Sequence, residues 1–334
     1  MQIIWQKAPN RIITAEDLLP EHNYDPNHWV IKKQKINKRD QAQNKKDGDT
    51  VIVELYQILL ELEPKHIFVT DDYKTTLYNL FDTKIPIIQT PKGYDTENLW
   101  HIIHTDLHFD RVDHKNPKKY LKEIDDRTMR LFEEILKGKP TRLLYHNLWD
   151  YWNTDINQKT TKGTEQYNSI DEMESFQMWL DHQVWLIKTF GSELPVDVVY
   201  NPWNHDRNKL QYLSDAMELY FSKSDDIHIN NSHDPRKYYK RWYNIIWSSH
   251  WDWERIPNIP TVINNETKLT NNNYFYRWHS HQHDIKQFGN LIVETIGSPA
   301  SPSKREKNQG YYSNNKIHGN LYDKRRGKTS TYYR

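Results

Sequence analysis

The chain has no cysteine among its 334 residues. That excludes disulfides, iron–sulfur clusters and thiolate zinc sites, and leaves His, Asp, Glu and Asn as metal ligands. No apolar run approaches the roughly 18 residues that a membrane span needs. Neither sign of charge dominates: 46 Lys and Arg face 45 Asp and Glu. This gives no support to a generic nucleic-acid or membrane-surface binder. Met1–Asn10 carries no signal-peptide pattern. The expectation is a soluble, cytoplasmic protein without membrane contact, its partner protein, if any, left open. Glycine is scarce, with only 10 in the chain, about 3% against a usual value near 7%.

Aromatic residues are plentiful. Trp, normally rare, appears 13 times, and aromatics make up 13% of the chain. A mean hydropathy of −0.99 is very polar, yet this aromatic content supplies a core and argues against disorder. The length suits one large domain or two ordinary ones.

Residues 1–98 differ in pattern from the rest and read as a small α+β accessory region. Within it, the basic, Gln/Asn-rich stretch Lys32–Lys46 reads as a solvated loop or hairpin. Val51–Leu62 carries apolar residues at helical spacing and ends before Pro64, which predicts a helix. Lys92–Asn98 is a candidate linker.

From Leu99 onward, short apolar runs predict buried strands at Trp100–Thr105, Arg142–Leu148, Val196–Asn201, Tyr243–Ser249, Tyr274–Arg277 and Leu291–Ile296. Amphipathic helices are expected at Pro117–Leu136, with Gly138 as its cap, and at Leu210–Phe221. A third is expected from a capping box at Ser169–Glu172 to about Phe190. Strands alternating with helices indicate an α/β domain over 99–302. The remainder, 303–334, has nine Lys/Arg, two acids and five Tyr. It reads either as a solvated terminal segment or as a nucleic-acid-contacting surface, since cations neutralise phosphate and aromatics stack on bases.

His, Asp and Asn cluster after the predicted strands. The clusters are Asp106-Leu107-His108, Asp150-Tyr151-Trp152-Asn153, Asn204-His205-Asp206, His250-Trp251-Asp252 and His279-Ser280-His281. Each alone fits an ordinary hydrogen-bonded surface group. Five in order, each at a strand end, where open α/β sheets place their ligands, point to a metal centre. Carboxylate and amide oxygens mixed with imidazoles suit Mn²⁺, Fe²⁺ or Zn²⁺ rather than Ca²⁺. Seven ligands are enough for two adjacent ions if one carboxylate bridges them, an arrangement suited to phosphoryl chemistry.

This ordered series resembles the calcineurin-like metallophosphoesterases over about residues 100–300. The matching motifs are Asp106/His108, Asp150/Asn153, Asn204-His205-Asp206, His250 and His279/His281. Further details resemble a phage-type, DNA-repair exonuclease-like branch: His205-Asp206-Arg207, Pro235–Tyr239, His250-Trp251-Asp252, and the segment from His22 to Trp29. The resemblance implies a two-sheet β-sandwich flanked by helices in four layers (αββα). It implies two divalent ions, Mn²⁺ first with Fe²⁺ or Zn²⁺ as alternatives. Asp106, His108, Asp150 and His281 would hold one; Asp150, Asn204, His250 and His279 the other. His205 would donate a proton to the leaving oxygen, Asp206 would orient its ring, and Asn153 would support the bridging carboxylate. The implied activity is a phosphodiesterase acting on DNA, in the host cytoplasm if phage-encoded. A phosphatase acting on a small molecule or phosphoprotein is the alternative within enzymes.

One departure is systematic. Trp149, Trp203, Trp251 and Trp278 stand where the family has glycine, and Trp152, Trp242, Trp247 and Trp253 are suspect on the same ground. Glycine there would let the backbone turn at positive φ and approach the metals. Two readings remain. Either the tryptophans are genuine and the chain is a crippled relative, at the extreme a non-catalytic binding module, or the gene reads UGA as glycine. The second matches both the glycine deficit and the intact ligand set. On either reading, an indole at the four motif positions is expected to swing out to solvent or push its turn aside.

Overall fold

The computed structural model describes residues 3–9, 29–44, 50–64, 85–112, 114, 116–148, 150–201, 205–234, 236–249, 255–278, 283–300, 310 and 315–334. The chain divides into two units, Met1–Phe81 and Asp82–Arg334.

The first unit contains an antiparallel sheet in the order β1-β3-β2, formed by β1 (Ile3–Pro9), β2 (Trp29–Asn44) and β3 (Thr50–Pro64). The hairpin reading of Lys32–Lys46 fits β2, which pairs along β3. The helix expected at Val51–Leu62 is instead strand β3. Ile58 and Leu60 are buried while Leu59 and Glu61 between them are only half-buried. This alternation of period two, with β-branched Val51, Ile52 and Val53 leading in, outweighs the weaker helical spacing. Residues 10–28, 45–49 and 65–84 lie outside the described residues.

The second unit begins before the expected boundary at 98. Ile88 already packs against its core and donates its N–H to Ser224 Oγ at 3.1 Å. Two mixed sheets form it. The first has the order β14-β13-β4-β5-β6-β7. Its members are β4 (Asn98–Thr105), β5 (Arg142–Leu148), β6 (Val196–Tyr200), β7 (Ile227–Asn230), β13 (His318–Asp323) and β14 (Gly327–Tyr333). Strands β4 to β7 run parallel; β13 joins β4 antiparallel. The second sheet has the order β11-β12-β10-β9-β8. It contains β8 (Arg236–Arg241), β9 (Asn244–Ser249), β10 (Asn272–Arg277), β11 (Asp284–Phe288) and β12 (Leu291–Thr295).

Helix α1 (Pro117–Lys137) starts with Pro117 behind Asn116, whose side chain accepts from Lys119 N at 2.9 Å. It buries Leu121, Ile124, Thr128, Leu131 and Ile135, spaced three and four apart. It lies close against β13 at Gly319, where a Cβ would sit 2.8 Å from Leu131 Cδ1. Helix α2 (Glu172–Gly191) is capped by Asp171, which accepts from Met173 N and Glu174 N. The capping box expected from Ser169 is displaced because Glu172 turns away to accept from the N–H groups of Asn157 and Gln158. Helix α3 (Arg207–Phe221) packs on β7. Helix α4 (Ile259–Glu266) serves the other sheet.

Alternation along the second sheet makes the layers. On β9 and β10, Ile246, Tyr274 and Tyr276 enter the main core shared with the first sheet. The intervening Ile245, Trp247 and Phe275 join Leu291 and Val293 under Ile259 and Ile263 of α4. The architecture is therefore α/β, with two sheets face to face and helices outside, as the sequence implied. Among the described residues no helix is long and apolar enough to cross a membrane.

The segment expected to stand apart as a basic tail is partly built into the first sheet. Ile317, His318, Gly319, Asn320 and Tyr322 are buried. Asp323 pairs with Asn98 at the start of β4. The turn carrying Lys324, Arg325 and Arg326 is thus at the opposite end of β4 from Asp106, about 25 Å away by strand rise.

Three histidines, His101, His104 and His146, are buried in the core. His101 Nε2 lies 2.9 Å from His146 Nδ1, and His104 binds Thr128 Oγ1 and Tyr145 OH. Burial holds His104 and His146 down to about 3, and burial with the neighbouring His146 lowers His101. The unfolded chain takes up protons below about pH 6.5 while these rings resist. Their contribution to stability is present above that pH and lost as pH falls toward 3. In metal-free protein, urea midpoints should therefore drop across this window, by up to about 1.4 kcal/mol per pH unit for each ring. The slope should shrink in His104→Gln. An unchanged slope in that variant would show that the ring is not buried neutral.

Candidate metal centre

Strands β4 and β5 are parallel and in register, Thr105 opposite Leu148, so their C-terminal ends deliver adjacent loops. Asp106 follows β4 at once, His108 comes two residues later, and Asp150 leaves β5. The loops are stitched by His108 N to Asp150 O and Phe109 N to Tyr151 O, both at 2.9 Å. Asp106, His108 and Asp150 are buried, and one ligand atom from each lies within 4.8 Å of the others. All three have positive φ, of 45°, 42° and 51°. Such strain at non-glycine residues persists where the surroundings impose it, and it gathers at functional sites. Two carboxylates and an imidazole converging in a buried place make a donor set for a divalent cation.

His205 leans on the same group. Its backbone N–H donates to Asp150 Oδ1 at 3.3 Å, and its ring packs edge-on to His108 with centroids 4.9 Å apart. Its Nδ1 lies 2.8 Å from the Asn153 carbonyl, which only accepts, so Nδ1 carries the proton and Nε2 is left for chemistry.

Two expected roles change. Asp206 was expected to orient His205; instead its Oδ2 accepts from the N–H groups of Tyr151 (2.9 Å) and Trp152 (3.4 Å). Burial, then the nearby Asp150 and Asp155, push its carboxyl well above the ordinary range. The His205 ring is oriented by the Asn153 backbone. The Asn153 side chain, expected behind Asp150, donates to the Tyr167 carbonyl at 3.0 Å.

Asp110 and Asp155 brace the centre. Asp110 accepts from Asn153 N and Ser175 Oγ at 2.7 and 2.8 Å. Asp155 accepts from the N–H groups of Asn208 and Lys209, satisfying the first turn of α3. Both partnerships span more than 40 residues, so no local pattern announces them.

Asn204, His250, His279 and His281 lie outside the described residues, as do the His22–Asp25 segment, Trp149, Trp203, Trp251 and Trp253. The strands leading to three of them are described. β9 ends at Ser249, one residue before His250, and β10 ends at Arg277, two before His279. Ser248 Oγ donates to Asn201 Oδ1 at 2.8 Å, tying the end of β9 to the end of β6. Ser298 Oγ donates to the Asp106 carbonyl at 2.7 Å.

The tryptophans divide. Of the two outcomes expected for Trp278, the swing out to solvent does not occur, since it is fully buried in the main core; the turn that follows, 279–282, lies outside the described residues. Trp152, stacked on Phe176, and Trp247 are buried as well. Trp242 differs. Arg241 pairs with Asn244, so Trp242 and Tyr243 form a two-residue hairpin loop, and Trp242 has φ +54°. Positive φ at the first position alone defines a turn that favours glycine there.

No protein-family model matches the chain, and no curated protein matches it. Solved structures do. One is YfcE, a phosphoesterase from E. coli, at 11% identity over 70% of this chain and 98% of that one, with a TM-score of 0.32. Another is a predicted phosphoesterase from Streptococcus pneumoniae, at 11% identity over 71% and 98%, TM-score 0.28. A third is Vps29 from Entamoeba histolytica complexed with Zn²⁺, at 11% identity over 70% and 98%, TM-score 0.28. Superpositions this loose leave the case for chemistry to the residues themselves. Fold and site together define an α/β sandwich with a buried Asp/His group, of a composition suited to a divalent cation, at its strand ends.

Trp242→Gly should change stability by about 1 kcal/mol or less, because relief of left-handed strain offsets lost packing. Trp278→Gly should cost about 3–5 kcal/mol by emptying the core. Urea unfolding of both variants ranks them, and the reverse order would contradict the placement of these side chains.

Proposed function

We propose that the chain is a dinuclear-metal-dependent phosphoesterase, and more specifically a cytoplasmic phosphodiesterase acting on DNA. The observation that carries the reading is the convergence of Asp106, His108 and Asp150 within 4.8 Å, buried at the ends of adjacent parallel strands, with His205 against them. Divalent cations bound there would supply positive charge to the phosphoryl oxygens and acidify water. Asp106, His108 and Asp150 would hold them, with Asn204, His250, His279 and His281 completing the set by the family resemblance. Mn²⁺ is the first choice of ion, Fe²⁺ or Zn²⁺ the next. His205, its Nδ1–H tied to the Asn153 carbonyl, leaves Nε2 for the leaving oxygen; in the doubly protonated ring the Nε2–H would be the proton it donates, leaving the neutral Nδ1–H form. DNA as substrate rests on the finer motif likeness to exonuclease-like relatives.

The position of the basic turn Lys324–Arg326, at the far end of β4, favours a second reading. In this one the substrate is a small phosphoester, held without a cationic track leading from the tail.

The test is Mn²⁺-dependent hydrolysis of bis(p-nitrophenyl) phosphate and of double-stranded DNA, run on the chain and on its Trp149/Trp203/Trp251→Gly variant. His205→Ala should lower turnover by about 10²–10⁴ with metal content intact, while Asp150→Ala should empty the centre. DNA cleavage should weaken steeply between about 50 and 200 mM salt, whereas small-ester hydrolysis should not. Hydrolysis of the small ester alone would select the second reading. No hydrolysis in either version would leave a binding module.

A further inference from the structure

A second group of metal-ligating side chains stands apart from the first in composition and shares no residue with it. His283, Glu294 and His318 each offer one ligand atom within 4.8 Å of the others. They come from both sheets: Glu294 from β12, His283 from the residue before β11, and His318 from β13. His283 Nε2 lies 3.0 Å from Glu294 Oε1, and the His283 and His318 rings meet edge-on at 5.2 Å.

The telling member is His318. It is fully buried, and neither of its ring nitrogens has a hydrogen-bond partner among the described residues. An imidazole deprived of water at both nitrogens is costly, and buried polar atoms left so call for a missing partner. Burial pushes its pKa down to about 3, so near neutral pH the ring is uncharged with a lone pair to give. Glu294 is almost wholly buried and its carboxyl is held below the usual range, with His283 and Lys328 as favourable neighbours, so it is charged. Lys328 Nζ binds Glu294 Oε2, which leaves Oε1 facing the histidines. His283 is a quarter exposed and gives solvent a way in.

We propose that His283, Glu294 and His318 form a separate zinc site that staples the two sheets together. Two neutral imidazoles and one carboxylate, with a water as fourth ligand, are a donor set Zn²⁺ accepts. Because His283 immediately precedes β11, the ion also anchors the entry to that strand. Lys328 is the competing cation.

The experiment is to strip the full chain with a chelator, reload it with Zn²⁺, and count ions per chain and thermal shift. Asp150→Asn serves as the background in which the first centre is disabled. The Asp150→Asn protein should retain one zinc. Adding His318→Gln, or the surface change His283→Gln, should remove that ion and its share of the zinc-dependent rise in melting temperature. Lys328→Met should tighten zinc at least several-fold. Because His283 lies at the rim, His283→Gln keeps the test valid if His318→Gln fails to fold. Equal zinc content with and without His283 and His318, or no zinc left in Asp150→Asn, would overturn the site. If the first centre instead binds nothing and hydrolyses nothing, the wild-type chain still carries the one zinc that His283→Gln loses.

Discussion

Two buried carboxylates held at one point govern the architecture around them. At a separation within 4.8 Å, Asp106 and Asp150 repel by about 3–4 kcal/mol at an effective dielectric of 20. Left-handed backbone at both, and at His108, adds strain. The Thr105 hydroxyl, donating to Asp106 Oδ2 at 3.0 Å, and the His205 N–H, donating to Asp150 Oδ1, offset part of these costs. The parallel register of β4 and β5 imposes them, because strands aligned with Thr105 beside Leu148 bring their exits together. A bound cation would reverse the sign of the repulsion, which is why the geometry makes sense as a metal centre and not as a packing accident.

Other carboxylates keep this arrangement in place by a different use of the same group. Asp206, Asp110 and Asp155 each accept backbone N–H groups from segments distant in the chain. Asp206 holds the loop after β5 at Tyr151 and Trp152, Asp110 holds it at Asn153, and Asp155 reaches back from that loop to the start of α3. The segment 150–155 is thus clamped from both sides. The positioning of His205 follows from it, since the carbonyl that orients the ring belongs to Asn153. These three carboxyl groups are spent on backbone order, whereas Asp150 accepts the His205 N–H and still keeps a ligand atom within reach of Asp106 and His108. That division separates residues of one type lying within a few positions of one another.

Much of the fold was legible in the sequence, and the reason is periodicity. Helix α1 and the buried parallel strands announce themselves because each carries one repeating apolar pattern. Strands β8 and β11 were not foreseen: their sequences RKYYKR and DIKQF are polar and lie at the sheet edges. Strands β13 and β14 were hidden for another reason. Partnership with β4 spans more than 200 residues, so a stretch that reads as a charged tail folds into the sheet through Leu321 and Tyr322. At the site, the Asp106-x-His108 spacing and the strand-end position of Asp150 were readable. The work of Asp206 and the Asn153 carbonyl was not, since it depends on contacts made some 50 residues away.

The tryptophan excess obeys the same distinction between local and distant constraint. At Trp242 the constraint is local. A two-residue hairpin between β8 and β9 demands a positive φ at its first position whatever the side chain. The indole recovers part of that cost against the Arg241 guanidinium, 4.6 Å from its ring. At Trp278, as at Trp152 and Trp247, the constraint is distant: elements from elsewhere in the chain enclose the ring on all sides. A glycine belongs where backbone geometry sets the residue, and a large aromatic where volume does. The excess therefore has no single structural cause. Position 242 bears the backbone mark of a glycine, while at 278 the sandwich has made room for an indole beside the segment that leads to His279.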